Sequence, residues 1–222
     1  MSSNFESPPP SSSWTGRVRG QLEKGLPLEN LLPERQPFYV GSWVYIFGVV
    51  TIAALAWTIL SGVILALAGP EWWHISSVGR FVNSVHFWSV QVFFVFMVLH
   101  LWGMYFMASW RHGRAPTWMI GAIIFFVSIL AAFTGYLSQQ NFDSQYIAVN
   151  AKDALNATGF GAFFNVLNFG QMYGIHVVLV PAAIVVLVGL HLMQVRMRGV
   201  VRPIEHRQTP VVAELAARKE TV

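Results

Sequence analysis

Cysteine is absent from this 222-residue chain. Its absence excludes disulfides, thiolate-held iron–sulfur clusters and thioether attachment of a haem through Cys-x-x-Cys-His. Charge is scarce too: Asp, Glu, Lys and Arg make up 11% of the residues, whereas apolar residues reach 55%. Four apolar stretches, about 38–68, 81–110, 116–137 and 171–195, contain no Asp, Glu, Lys or Arg at all. Each is long enough to cross a hydrocarbon layer of roughly 30 Å as a helix. No charged segment followed by a short apolar core and a small-residue cleavage site is present, so no removable signal peptide is expected.

The few charges are unevenly placed. Arg17, Arg19, Lys24 and Arg35 precede the first span, Arg111 and Arg114 lie between the second and third, and six more basic residues follow the fourth. Only Arg80 and Lys152 fall on the other side. The positive-inside rule then predicts that both termini and the 111–114 loop are cytoplasmic. This bias accounts for the net charge of +4 without a nucleic-acid partner.

Four histidines stand inside the apolar spans: His86 and His100 in the second, His176 and His191 in the fourth. On an α-helix, separations of 14 or 15 residues rise roughly 21–22 Å and return to nearly the same face. Each helix thus offers one imidazole near each membrane surface. With both termini on one side, spans two and four run parallel. His86 is then level with His176 near the outer surface, and His100 with His191 near the inner one. Ionisable side chains at membrane depth are costly and mark functional sites. Neutral imidazole is a common metal ligand, and the members of one helix's pair are too far apart to share an ion such as zinc. The alternative for any single histidine is a hydrogen-bonded residue of the bundle interior. Four at matched spacing point instead to two axial His–metal–His sites, for which haem is the fitting group.

Glycines repeat the interval. Gly48 and Gly62 are 14 apart in the first span, as are Gly121 and Gly135 in the third. These spans run the opposite way, placing Gly62 and Gly135 at the outer level and Gly48 and Gly121 at the inner one. A flat macrocycle wedged between spans two and four needs bare backbone at its edges, which glycine supplies. The competing reading is tight helix packing, for which glycine is common in membranes.

Ser84-Val85-His86-x-Trp88-Ser89, Leu99-His100, Thr117-Trp118-x-x-Gly121, Thr134-Gly135-Tyr136, His176 with Pro181, and His191 with Arg196 resemble the amino-terminal half of cytochrome b. The unequal 14- and 15-residue spacing is more similar to the split cytochrome b6 form. The resemblance covers roughly residues 38–203. It implies an all-α, four-helix membrane bundle enclosing two non-covalent haems b, the outer, lower-potential one ligated by His86 and His176 and the inner by His100 and His191. It also implies a subunit of a quinol-oxidising Rieske/cytochrome b complex, carrying electrons from an outer quinol site to an inner quinone site. Its implied partners are a three-helix carboxy-terminal cytochrome b subunit, a Rieske iron–sulfur protein and a c-type cytochrome or equivalent acceptor, in a dimeric assembly of the bacterial cell membrane.

The chain departs from the family pattern in places. Arginines common in the family three residues before the first ligand and three after the second are Asn83 and Gly103 here. Arg80 and Arg114 are the nearest substitutes at the outer and inner levels, with interface anchoring as the other reading of Arg80. Ile46 stands where the chloroplast form attaches an extra haem through cysteine. The Leu-Pro-Trp stretch that usually follows Gly-Tyr is replaced by Leu137-Ser138-Gln139-Gln140-Asn141.

The expected organisation is a tail with a possible interfacial helix over 1–37, the dihaem domain over 38–203, and a second cytoplasmic tail over 204–222. Residues 138–170 should form amphipathic helices in the outer interface, since Tyr146, Ile147, Ala154, Leu155, Phe160, Phe163 and Phe164 alternate with Asp143, Lys152 and Asp153. Two rival functions stand beside the quinol-oxidising reading. One is a non-bifurcating dihaem anchor relaying electrons to another redox enzyme. The other is a four-helix transporter or assembly protein whose histidines handle protons or packing.

Overall fold

The computed structural model describes residues 43–201 and, before them, Trp14, Val18, Gly20 and Gln21. The expected terminal tails and the helix over 17–32 otherwise lie outside the described residues. Four long apolar helices dominate: α1 (Trp43–Ala68), α3 (Ser77–Phe106), α4 (Ala115–Leu137) and α6 (Phe169–Arg198). Two shorter ones, α2 (Pro70–Ile75) and α5 (Phe142–Ala157), lie at one end, which we call the long-loop end. Many large apolar side chains point outward, among them Val49, Trp57, Leu60, Phe126 and Val186. No residue of these helices could expose such a surface to water at so little cost as to lipid.

Local chemistry sets the helix limits. The second span begins at Ser77, four residues before the apolar run, because the Ser76 hydroxyl caps it by accepting from the Gly79 amide at 3.3 Å. Arg80 therefore sits inside α3. The helix ends at Phe106, where a turn over 107–114 carries three left-handed residues, Ala108, His112 and Gly113. Pro116 in the first turn of α4 costs no hydrogen bond there.

The bundle is built as two helical hairpins. α1 packs along α3, and α4 along α6, whereas α3 meets α4 only sparsely and α3 and α6 scarcely touch. The two histidine-bearing helices thus face each other across a space. Midway along it one apolar layer closes the bundle, formed by Ala54, Leu55, Phe93, Met97, Ile124, Val180 and Ile184. Every one of these positions falls between the two histidine or glycine positions of its own helix.

α5 starts under an Asn141 cap, whose side chain accepts from the Ser144 amide at 2.8 Å. It buries Ser144 and Ala148 and lays Ala151 and Leu155 on a second apolar cluster with Leu137, Val166, Met172 and Phe164. Tyr146, Ile147, Phe160 and Phe163 instead face outward, as an amphipathic element at a membrane surface requires.

One feature of α6 settles the unequal histidine spacing. Residues Ile175–Leu179 form a π turn, with the Val180 amide bonded to the Ile175 carbonyl five residues back. A π turn absorbs one extra residue. Pro181 follows immediately, where a regular α-helix would clash with the carbonyl four residues earlier. The 15-residue interval from His176 to His191 therefore covers about 14 α-steps, roughly 21 Å, the same rise as His86 to His100.

Candidate cofactor site between the paired helices

At the long-loop end the structure brings His86 and His176 together, their ring centroids 6.3 Å apart and their planes at 87°. A metal–imidazole nitrogen bond is about 2 Å, so one metal atom between two imidazoles, with roughly 1 Å more to each ring centre, separates the centroids by about 6 Å. At the other end, which carries the 107–114 turn, His100 lies against Gly48 and His191 against Gly121.

The imidazoles are held in a common way. His86 Nδ1 lies 3.0 Å from the Thr58 carbonyl, His176 Nδ1 3.0 Å from that of Ala131, and His191 Nδ1 3.0 Å from that of Thr117. A carbonyl only accepts, so each Nδ1 carries the proton and donates. This fixes the tautomer and leaves Nε2 as the basic nitrogen, the arrangement of a metal-binding histidine. Each carbonyl belongs to the residue four before a glycine: Thr58 before Gly62, Ala131 before Gly135, Thr117 before Gly121. A side chain at the glycine would block the approach. A Cβ added at Gly62 meets His86 Cε1 at 3.1 Å, one at Gly135 meets His176 Cε1 at 2.5 Å, and one at Gly121 meets His191 Cε1 at 3.3 Å. Gly48 lies against His100 in the same manner, at 3.1 Å from Cε1, but His100 Nδ1 is buried without a hydrogen-bond partner. The glycines therefore clear the imidazoles themselves, a tighter constraint than clearance for the edge of a macrocycle.

Two hydroxyls add to the long-loop level alone. Ser61 Oγ is 3.1 Å from His86 Nδ1, and Thr134 Oγ1 is 3.4 Å from His176 Nδ1. The other level has a cationic clasp instead. Arg198 Nη1 donates to Thr117 Oγ1 at 2.7 Å and to Gln194 Oε1 at 2.6 Å, and the Thr117 hydroxyl donates to Gln194 Oε1 at 2.9 Å. Thr117 is also the residue whose carbonyl holds His191.

A cavity of about 380 Å³ opens at the long-loop level, walled by His86, His176, Gly62, Gly135, Trp73, Asn83, Gln139 and Tyr173 among others. A second, of about 150 Å³, reaches from the same two histidines toward Leu55, Phe93, Ser128 and Ile184. Both volumes suit part of a cofactor-sized group. Among the described residues no cluster of three His, Cys, Asp or Glu could hold a bare metal ion. Paired, glycine-cleared imidazoles with Nδ1 tied back instead fit a group that brings its own in-plane ligands, as haem does.

Of the two arginines singled out in the sequence, Arg80 donates to the His74 carbonyl at 3.4 Å and is not part of the cavity wall. Arg114 donates to the Gly199 carbonyl, tying the start of α4 to the end of α6. Sequence reasoning did not reach the Nδ1–carbonyl bonds, the Thr117–Gln194–Arg198 clasp or a reciprocal amide pair between Asn83 and Gln139, whose bonds measure 3.1 and 3.2 Å. That last pair joins two of the places, residue 83 and the 137–141 stretch, where the chain departs from the pattern of the family it resembles.

Comparison with known proteins identifies the family. The family profile described as Cytochrome b(N-terminal)/b6/petB matches residues 91–221. The menaquinol:cytochrome c reductase cytochrome b subunit of Bacillus subtilis (strain 168) is 24% identical over 189 residues, covering 75% of this chain and 84% of that protein. Cytochrome b6 of Heliomicrobium gestii is 24% identical over 136 residues, 56% of this chain and 64% of that one. A solved chain of a hyperthermophilic respiratory complex III shares the fold with a TM-score of 0.65 and 21% identity, over 92% of this chain and 61% of its own length. The chain therefore belongs to the cytochrome b family as an amino-terminal, b6-type half, an integral membrane electron-transfer protein of the haem b-binding kind.

Proposed function

We propose that this chain is the dihaem cytochrome b subunit of a quinol-oxidising Rieske/cytochrome b complex. Its 38–203 domain carries electrons from a quinol site at the outer membrane face to a quinone site at the inner face. The observation that carries the reading is the repeated unit of helix carbonyl, glycine and Nδ1-bonded histidine, present at both ends of the bundle. His86 and His176 hold the outer haem iron, and His100 and His191 the inner one. Bound haem supplies reversible one-electron exchange at its iron. The protein's part is to fix the imidazole tautomers of His86, His176 and His191, leaving their Nε2 unprotonated, and to exclude water through the apolar layer around Phe93 and Ile184. The basic residues at the 107–114 turn and beyond α6 support a cytoplasmic position for that end. Quinol oxidation also needs a proton acceptor within hydrogen-bond reach. With the four histidines on iron, no Asp, Glu or Lys of the four spans serves, so a carboxylate of a three-helix partner subunit supplies it. A Rieske protein and a c-type cytochrome or equivalent complete the chain of acceptors, in a dimeric complex.

The haem-to-chain ratio tests this directly. Two haems b per chain, both extractable with acidified solvent, are expected; a ratio of one, or haem that resists extraction, overturns the reading. The altered 137–141 stretch, engaged here with Asn83, favours a second reading, a dihaem anchor that relays electrons without bifurcation. Quinol-driven haem reduction in the purified assembly, with reoxidation at the inner site blocked, separates the two. Dependence on the Rieske protein supports bifurcation, and reduction without it establishes the simple relay.

A further inference from the structure

The mouth of the long-loop cavity has a donor set that the paired histidines do not use. Trp73 of α2 is 6% exposed and lines the cavity, yet its indole N–H has no hydrogen-bond partner. Asn83 of α3 and Gln139, just past α4, line the same wall and bond to each other. A reciprocal amide pair uses one N–H of each side chain and leaves the second N–H of each free. The other hydrogen-bonding side chains that are withdrawn from solvent are already committed. Ser138 donates to the Thr134 carbonyl at 2.8 Å and Tyr173 to the Ala66 carbonyl at 3.4 Å. Three N–H donors on side chains of this cavity wall thus have no acceptor of their own within the protein, and no Lys or Arg lines it.

A buried donor left unpaired is costly, so the Trp73 indole calls for an acceptor oxygen. Haem b carries two carboxylates, and neutral N–H donors suit a carboxylate. Resting on the dihaem reading, we propose that Trp73, Asn83 and Gln139 bind a carboxylate of the group held between His86 and His176, so that it is fixed by neutral donors and not by a cation. The groups facing it are His86 of α3, His176 and Tyr173 of α6 and Tyr136 of α4. The charged or titratable residues nearby on α2, α3 and α5, namely Glu71, His74, Arg80 and Asp143, are absent from the cavity wall.

This arrangement has a consequence with a definite sign. A carboxylate without a paired cation gives up its proton less readily, and the extra electron of the reduced centre raises its affinity for that proton further. The midpoint potential at this level therefore falls with rising pH across the window between the two proton affinities. Removing a donor moves the window to higher pH, and adding a cation moves it to lower pH.

The test is spectropotentiometry of the purified, quinone-depleted complex as a function of pH, with Trp73→Phe and Asn83→Arg each compared with the wild type. The expected result is that Trp73→Phe moves the window of the component assigned to His86 and His176 upward, Asn83→Arg moves it downward, and the other component stays unchanged. If Trp73→Phe fails to assemble, the Asn83→Arg shift decides alone. Windows that do not move, that move equally for both components, or that move only once quinone is restored overturn the proposal, the last by making the quinone oxygen the acceptor. A ratio of one haem per chain would fail the underlying dihaem reading instead, and is read in the same samples.

Discussion

Gly135→Ala should cost this protein more than the same change at any of the other three glycines facing a histidine. The added methyl would stand 2.5 Å from His176 Cε1, 2.9 Å from Nε2 and 3.0 Å from Nδ1, where ordinary contact starts near 3.4 Å. The imidazole must therefore retreat by about 0.9 Å. Its Nδ1 bond to the Ala131 carbonyl, now 3.0 Å, would then exceed hydrogen-bonding distance. Losing that bond costs about 0.5–1.5 kcal/mol, and overpacking a filled interior about 1–3 kcal/mol. At 1.4 kcal/mol per factor of ten, retention of the group at this level should weaken by roughly tenfold to a thousandfold. At Gly121 the methyl would meet His191 at 3.3 Å, a contact relieved by a shift of about a tenth of an ångström, so Gly121→Ala should be nearly silent. Gly48 and Gly62, with first contacts at 3.1 Å, should fall between. The assay is the haem-to-protein ratio and the redox spectrum of each variant. Equal losses at Gly135 and Gly121, or a larger loss at Gly121, would refute the account of these glycines as clearance for the imidazoles.

Other perturbations probe the same construction. His86→Ala and His176→Ala should erase the same potentiometric component, and His100→Ala and His191→Ala the other; erasure of one component by His86→Ala and His191→Ala alike would show the levels to be misassigned. Deleting Val178 from the π turn together with Pro181→Ala should retain both components, because α6 can return to regular α geometry with a 14-residue interval. Deleting Val92 from α3, which has no π turn to release, should turn one histidine by about 100° and lose at least one component; retention of both would show that the register is not what holds the site.

Much of the site is legible in the sequence because it is written in helical arithmetic. Four histidines and four glycines at intervals of 14 or 15 in uncharged spans define two levels before any coordinates exist. What escapes is whatever depends on backbone direction or on contacts between distant segments. The carbonyls of Thr58, Ala131 and Thr117 are identical in kind to every other carbonyl, and only the docking of the helices selects them. The extra residue between His176 and His191, with Pro181 close behind, was a visible sign of a π turn, yet periodicity alone does not reveal where a helix widens. Asn83 and Gln139 are 56 positions apart, and neither residue announces the other. The span limits moved because a single hydroxyl, that of Ser76, extends α3 backward, and three left-handed residues end it early.

The two levels also differ in charge, and that difference bears on direction. In the proposed arrangement an electron crossing inward works against the membrane potential, about 2.3 kcal/mol per 100 mV for a full crossing. The protein must therefore make the inner level the more favourable electron acceptor. At the outer level the groups around the histidines are neutral: the hydroxyls of Ser61 and Thr134 and the Asn83–Gln139 amides. At the inner level a guanidinium stands one side chain away from the residue that holds His191, through Arg198 and Thr117. A positive charge stabilises the reduced form of a nearby centre, and less so when water screens it, as at the exposed Arg198. Replacing Arg198 by Met should lower the potential of the inner component and leave the outer one in place, and the shift should shrink at high salt. Thr117→Val separates charge from tethering, because it removes the hydroxyl link while the backbone bond to His191 and the Arg198–Gln194 contact remain. If Thr117→Val reproduces the full effect of Arg198→Met, the clasp acts by positioning His191; a shift confined to Arg198→Met assigns the effect to charge. An unmoved inner potential in both variants would remove this clasp from the account of why electrons run inward.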